Sequence, residues 1–166
     1  MYYCFRTLAA LAIAALTACA TPNPVKDLRQ VFVMRHLQAE AGVDPGLTAA
    51  GAEQARSLAT WFGKRDGLRA IYVSRYRRAQ ETAAPLAAKL GVQPTVYDPA
   101  NSDALVQAVK ANRGNVLVVG HSNTVPDIVE RLGGVRPAPI EHDQFGDIWR
   151  VTGDAGMTAK LHLRSP

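Results

Sequence analysis

The chain has 166 residues and a mass of 17.8 kDa, the length of one domain. A hydrophobic content of 48% excludes a disordered or fibrous chain, and no apolar run reaches roughly 18 residues, which excludes a multi-pass membrane protein. Nineteen Lys and Arg against 14 Asp and Glu give +5, too modest a basicity to imply nucleic acid by itself, while Cys4 and Cys19 leave the body of the protein with neither disulfide nor thiolate metal site.

The order of elements begins with an address. Arg6 precedes an apolar stretch from Leu8 to Ala18, too short to span a bilayer but the length of a signal-peptide hydrophobic region. It ends Leu16-Thr17-Ala18-Cys19, which resembles the bacterial lipoprotein signal, in which the cysteine becomes acylated. The expected layout is a signal over 1–18, a polar tether over 19–28 built around Thr21-Pro-Asn-Pro24, and one domain over 29–166. An ordinary cleaved signal or an uncleaved anchor is the alternative. The expected location is the periplasmic side of a bacterial envelope, reached through a lipid anchor on Cys19.

Val31 to Met34 is a short continuous apolar run, as in a strand buried on both faces. Thr48 to Phe62 has helical apolar spacing with Thr48 as N-cap. Ala70 to Val73 predicts a second strand, and Arg77 to Leu90 a second helix closed by Gly91 and kinked at Pro85. Val92 to Tyr97 predicts a third strand, placed at an edge by Pro94. A helix over Ser102 to Ala111, a strand over Asn115 to Val119 and a helix over Thr124 to Leu132 follow. Two last strands, near Asp147 to Thr152 and Thr158 to Leu163, form a hairpin. This alternation predicts a single three-layer α/β domain, its mostly parallel central sheet flanked by helices.

Ligands of such sheets bind beyond the carboxyl ends of the strands. Those ends carry Arg35-His36, then Ser74 followed by Arg75, Arg77 and Arg78, and finally Gly120-His121-Ser122. Arginine's fork matches phosphate, and histidine serves as nucleophile or proton carrier. Each feature also has a bland alternative: a histidine that only caps a strand end, an arginine cluster that only solvates a helix. The cluster opens a helix against its dipole, an arrangement that suits anion binding.

Val33-Met-Arg-His36 resembles the arginine-histidine signature of the histidine phosphatase superfamily, also called phosphoglycerate-mutase-like. Asp44-Pro-Gly-Leu-Thr-Ala-Ala-Gly-Ala-Glu-Gln-Ala55, Ser74-Arg-Tyr-Arg-Arg-Ala-Gln-Glu-Thr-Ala83 and Val119-Gly-His-Ser-Asn-Thr-Val-Pro126 resemble its later motifs in the right order. The length resembles the small bacterial branch. The resemblance implies a metal-independent phosphatase without cofactor, acting on a small phosphorylated substrate and not on nucleic acid. His36 is the implied nucleophile, forming a phosphohistidine, and Arg35, Arg78 and His121 the implied clamp on the phosphoryl oxygens. Arg35 is expected to keep His36 neutral. Asp98 is the candidate proton donor to the leaving group, and equally the residue that would initiate the Asp98-Pro99 turn.

Leu37 departs from the family, which usually has glycine or alanine after the nucleophile; a bulky side chain there is expected to narrow the pocket or to shield the phosphoenzyme. Large substrate caps are absent, which predicts an open, shallow site. His142 and His162 receive no role. Two other readings use the same residues. Gly120-His-Ser-Asn-Thr124 lies between a strand and a helix like a nucleophile elbow, making an α/β-hydrolase esterase on Ser122, with Asp127, Asp143 or Asp147 and His142 or His162 behind it, a rival. A non-catalytic phosphate- or phospholigand-binding lipoprotein on the same fold is the other.

Overall fold

Six strands and four helices follow from these patterns in a computed structural model that describes residues 29–63, 67–153 and 156–163. The signal over 1–18, Cys19 and the tether lie outside the described residues. The apolar run becomes β1 (Gln30–Arg35), buried from Val31 onward. Helix α1 (Ala49–Trp61) starts at Thr48, whose hydroxyl accepts the Gly51 amide. A Cβ on Gly51 would sit 2.0 Å from the Gln38 carbonyl oxygen, so only glycine lets α1 begin this close to the segment after β1.

Strand β2 (Leu68–Ser74) leads to α2 (Arg77–Leu90), which runs without interruption through Pro85. It ends at Gly91, whose φ of 66° lets the amide of Val92 return to the carbonyl of Ala87. That helix stop consumes residues the sequence pattern gave to a strand: β3 is only Thr95–Tyr97, beginning after Pro94, and it does lie at the sheet edge. Then come α3 (Ser102–Ala111), capped by Asn101, β4 (Asn115–Gly120), α4 (Val125–Arg131), β5 (Asp147–Thr152) and β6 (Met157–His162).

The sheet order is β3-β2-β4-β1-β5-β6. The first four strands in that order are parallel, and β5 and β6 are antiparallel additions, with β5 paired directly to β1. One face carries α1 and α2 against Phe32, Met34, Ile71 and Leu117; the other carries α3 and α4 against Val31, Val33, Val116 and Val118. The alternating strand residues thus feed two cores, which fixes the three layers. β1 and β4 lie side by side in the middle, so their carboxyl ends bring Arg35-His36 and His121 together.

Candidate functional site

His36 follows the last residue of β1, and its amide still donates to the Gly120 carbonyl. The ring is buried, at 7% exposure. Its Nδ1 lies 2.7 Å from the Leu37 carbonyl oxygen. A carbonyl can only accept, so Nδ1 carries the proton and Nε2 holds the lone pair. Arg78 Nε donates to that Nε2 at 3.1 Å. Burial first, opposed in part by the Leu37 bond, then Arg78 and Arg35, lowers the pKa of His36 to about 4. The ring is therefore neutral near pH 7, but burial and Arg78 contribute more than the adjacent Arg35.

His121, equally buried, closes the opposite wall with its ring centroid 5.3 Å from that of His36. Its Nε2 is 2.8 Å from Ser74 Oγ, and Arg78 Nη2 approaches its Nδ1 at 3.4 Å. Desolvation, then His36, Arg78 and Arg35, lowers its pKa to about 4 as well. Arg78 thus bridges both rings, and its guanidinium lies over Tyr76 at 4.6 Å.

Arg35 is restrained by other means. Its Nη1 donates to the carbonyls of Glu141, His142 and Gln144 at 2.8, 3.1 and 3.0 Å, and its guanidinium lies 4.1 Å over Phe145. Its Nε is buried with no hydrogen-bond partner. No carboxylate comes within salt-bridge distance of Arg35 among the described residues, and Arg78 meets only Asp44, at 3.9 Å. Arg35, held by neutral carbonyls, and Arg78, held mainly by the two histidine rings with Asp44 at the edge of ion-pair range, leave most of their charge for an incoming anion.

These groups line a cleft of about 570 Å³, continuous through Arg35, His36, Val43 and Arg78 with a second lobe of about 360 Å³. Asp98 stands on the cleft wall, half-exposed. Its Oδ1 accepts the Ala100 amide, the turn contact, and sits 3.8 Å from Arg75 Nη1. Ser122 also faces the cleft but has no hydrogen-bond partner among the described residues. His162 is committed to Asp147, and no non-glycine residue there has the positive φ of a strained elbow. The esterase constellation does not assemble.

Leu37 corrects the sequence expectation. It is fully buried in the core under α1 and α2 and lines neither lobe. The strand ends at Arg35, the chain turns, and Thr82 Oγ1 accepts the Leu37 amide, directing the side chain inward. Sequence reasoning also left out Ser74 and Tyr76 as partners of His121 and Arg78, Phe145 under Arg35, and Asp44. Asp44 Oδ1 accepts the Arg77 amide at the start of α2, while Glu81 Oε2 accepts that of Leu47, pinning the 39–47 loop beside the site. Among these, Asp44 and Glu81 carried a signal, since α2 lacks an acidic residue or side-chain cap of its own at its start. No group of three side chains suited to a metal ion occurs among the described residues.

Residues 31–100 match the family described as the histidine phosphatase superfamily (branch 1). Among solved structures, the protein histidine phosphatase SixA complexed with tungstate is 25% identical, covering 82% of this chain and 97% of that one with a TM-score of 0.61. A putative alpha-ribazole-5'-P phosphatase from Escherichia coli str. K-12 substr. MG1655 is 15% identical, covering 82% and 97% with a TM-score of 0.64. The mycobacterial glucosyl-3-phosphoglycerate phosphatase Rv2419c is also 15% identical, covering 84% and 100% with a TM-score of 0.60. These last two show the shared fold. A 57-residue stretch is 42% identical to the PE-PGRS family protein PE_PGRS11 of Mycobacterium tuberculosis (strain ATCC 25618 / H37Rv), covering 34% of this chain and about a tenth of that protein's length.

Proposed function

We propose that this chain is a histidine phosphatase, a metal-independent phosphatase of phosphomonoesters or phosphoramidates working through a phosphohistidine on His36; the family match over residues 31–100 and the likeness to the protein histidine phosphatase SixA support the reading. One observation carries the reading: the unprotonated Nε2 of a buried, neutral His36 lies at the cleft beside Arg35, which has no carboxylate within salt-bridge distance among the described residues, and Arg78, whose one carboxylate, Asp44, stands off at 3.9 Å. Nε2 attacks phosphorus, a P–N bond forms, and the bond from phosphorus to the leaving oxygen or nitrogen breaks. The leaving atom takes a proton, with Asp98 on the cleft wall as the candidate donor. Water then attacks phosphorus, the P–N bond breaks, inorganic phosphate leaves and His36 is restored. Arg35, Arg78 and His121 stabilise the equatorial oxygens in both steps.

The three solved structures bear the names of a protein histidine phosphatase, a putative alpha-ribazole-5'-P phosphatase and a glucosyl-3-phosphoglycerate phosphatase, so the fold alone does not choose the substrate. The open cleft, with no cap over it among the described residues, favours a small phosphorylated substrate reached from solvent. With the lipoprotein-like Leu16–Cys19 signal, this supports a role at the periplasmic side of a bacterial envelope, on phosphorylated envelope sugars or scavenged phosphoesters.

Hydrolysis of p-nitrophenyl phosphate in EDTA tests the chemistry. The expected result is turnover lost in His36→Ala and an acid-labile, base-stable phosphoenzyme after quenching. Well-folded protein that binds phosphate in an Arg78-dependent way but releases none from any phosphoester would instead support the binding-protein reading. Radiolabelled palmitate should enter the wild type and not Cys19→Ser; label in neither would remove the anchor.

A further inference from the structure

We infer that Gln144, tied down by Asp147, is a positioning residue that seats Arg35 for phosphoryl binding; this rests on the proposed reading of the site. Arg35 gains its restraint from carbonyls of residues 141, 142 and 144, and residues 141–143 are exposed. Exposed backbone of this kind holds a guanidinium in place only if something fixes the turn itself. Gln144 does so in two ways. Its amide donates to the Glu141 carbonyl and its side-chain oxygen accepts the Glu141 amide at 3.4 Å, closing the turn on itself. Its side-chain nitrogen donates to Asp147 Oδ2, fastening the turn to the first residue of β5.

Asp147 is a suitable anchor. Its side chain is only 8% exposed, and it also receives Lys160 Nζ at 2.9 Å and His162 Nδ1 at 2.8 Å, both from β6. Burial acts to raise its pKa, but the donors Lys160, His162 and Gln144 together lower it, so it is an anion with three donors on its two oxygens. Lys160 and His162 alone would close the β5–β6 ladder. The third donor comes from the turn that holds Arg35, so the buried anion has a partner that the hairpin does not require. The chain of contact runs Asp147, Gln144, main-chain carbonyl, Arg35, and ends one residue from His36.

Tungstate affinity and p-nitrophenyl phosphate kinetics of Gln144→Met, which keeps the volume and removes the side-chain bonds, test this in the whole protein. The expected result is a Kd for tungstate and a KM raised about fivefold or more with the thermal midpoint little changed, and a loss of less than about twofold when Arg35 is already Lys, because the two changes act on one contact. Asp147→Asn, measured the same way, should shift both constants in the same direction by less. Wild-type affinity in both folded variants, or equal fold-losses in the Arg35 and Arg35→Lys backgrounds, would overturn the inference. Wild-type protein that neither binds tungstate nor turns over would instead overturn the proposed function, a distinguishable outcome.

Discussion

Arg78 and Arg35 line one cleft and are held in opposite ways. Arg78 stands in the first turn of α2, over Tyr76, and touches both histidine rings, so what positions it comes mainly from short segments at strand ends, with Asp44 of the 39–47 loop at 3.9 Å. Arg35 comes from β1 but rests on main-chain carbonyls and Phe145 from the turn before β5, more than a hundred residues along the chain. The same side chain is therefore positioned by the chemistry of the site in one case and by the architecture of the fold in the other. Removing each should have a different signature.

Relative to a His36→Ala baseline with activity reduced at least about 10³-fold, Arg78→Ala is expected to lose roughly 10² to 10³ in kcat/KM at nearly unchanged thermal stability, since its partners lie at the cleft. Steady-state kinetics beside differential scanning calorimetry give both numbers. Arg35→Ala should lose activity and also about 1–3 kcal/mol of stability, because three turn carbonyls lose their donor; an unchanged unfolding midpoint in urea would erase the contrast. Leu37→Ala reverses the pattern. It should cost about 2–5 kcal/mol as a core cavity while KM for p-nitrophenyl phosphate stays near that of wild type.

Both histidines have folded pKa values lowered from 6.5 to about 4. The unfolded chain binds their protons first, so stability should decline as pH falls from about 6.5 toward 4, and kcat/KM should hold through pH 5 and drop near 4 as Nε2 is protonated. An activity midpoint near 6.5 would contradict the buried, neutral site. The smallest expected effect is that of Ser122→Ala, within about threefold, since nothing activates its hydroxyl.

What could be read in advance divides along the same line. Thr48, Gly91 and the helix over 102–111 rest on caps and periodicity that involve neighbours in sequence, and all three appear in the fold. Arg35, His36, Arg78 and His121 came from strand ends and motifs, and the parallel pairing of β1 with β4 brings them to one cleft. The third strand is shorter than its pattern predicts because Val92 belongs to a helix stop whose hydrogen bond reaches back to Ala87, a contact that strand propensity does not register. The pattern misplaces Leu37 because it lies just past a strand end, where alternation no longer tells the two faces apart. The seat of Arg35 and the Ser74–His121 bond had no sequence signal: carbonyl acceptors are the same at every residue, so nothing marks the three that matter.

The pairing of β1 also sets the order in which the protein can be made. Val31 to Met34 emerge early, yet one parallel partner arrives only with residues 116–120 and the antiparallel one with residues 148–152. Until then the strand that bears His36 is a bare apolar segment with both edges open, the kind of segment that other chains pair with. Its contacts are almost all distant in sequence, which slows their formation and delays the moment at which the two histidines first meet. The strand that carries the chemistry is thus among the first synthesised and, with partners this distant in sequence, is expected to be among the last enclosed.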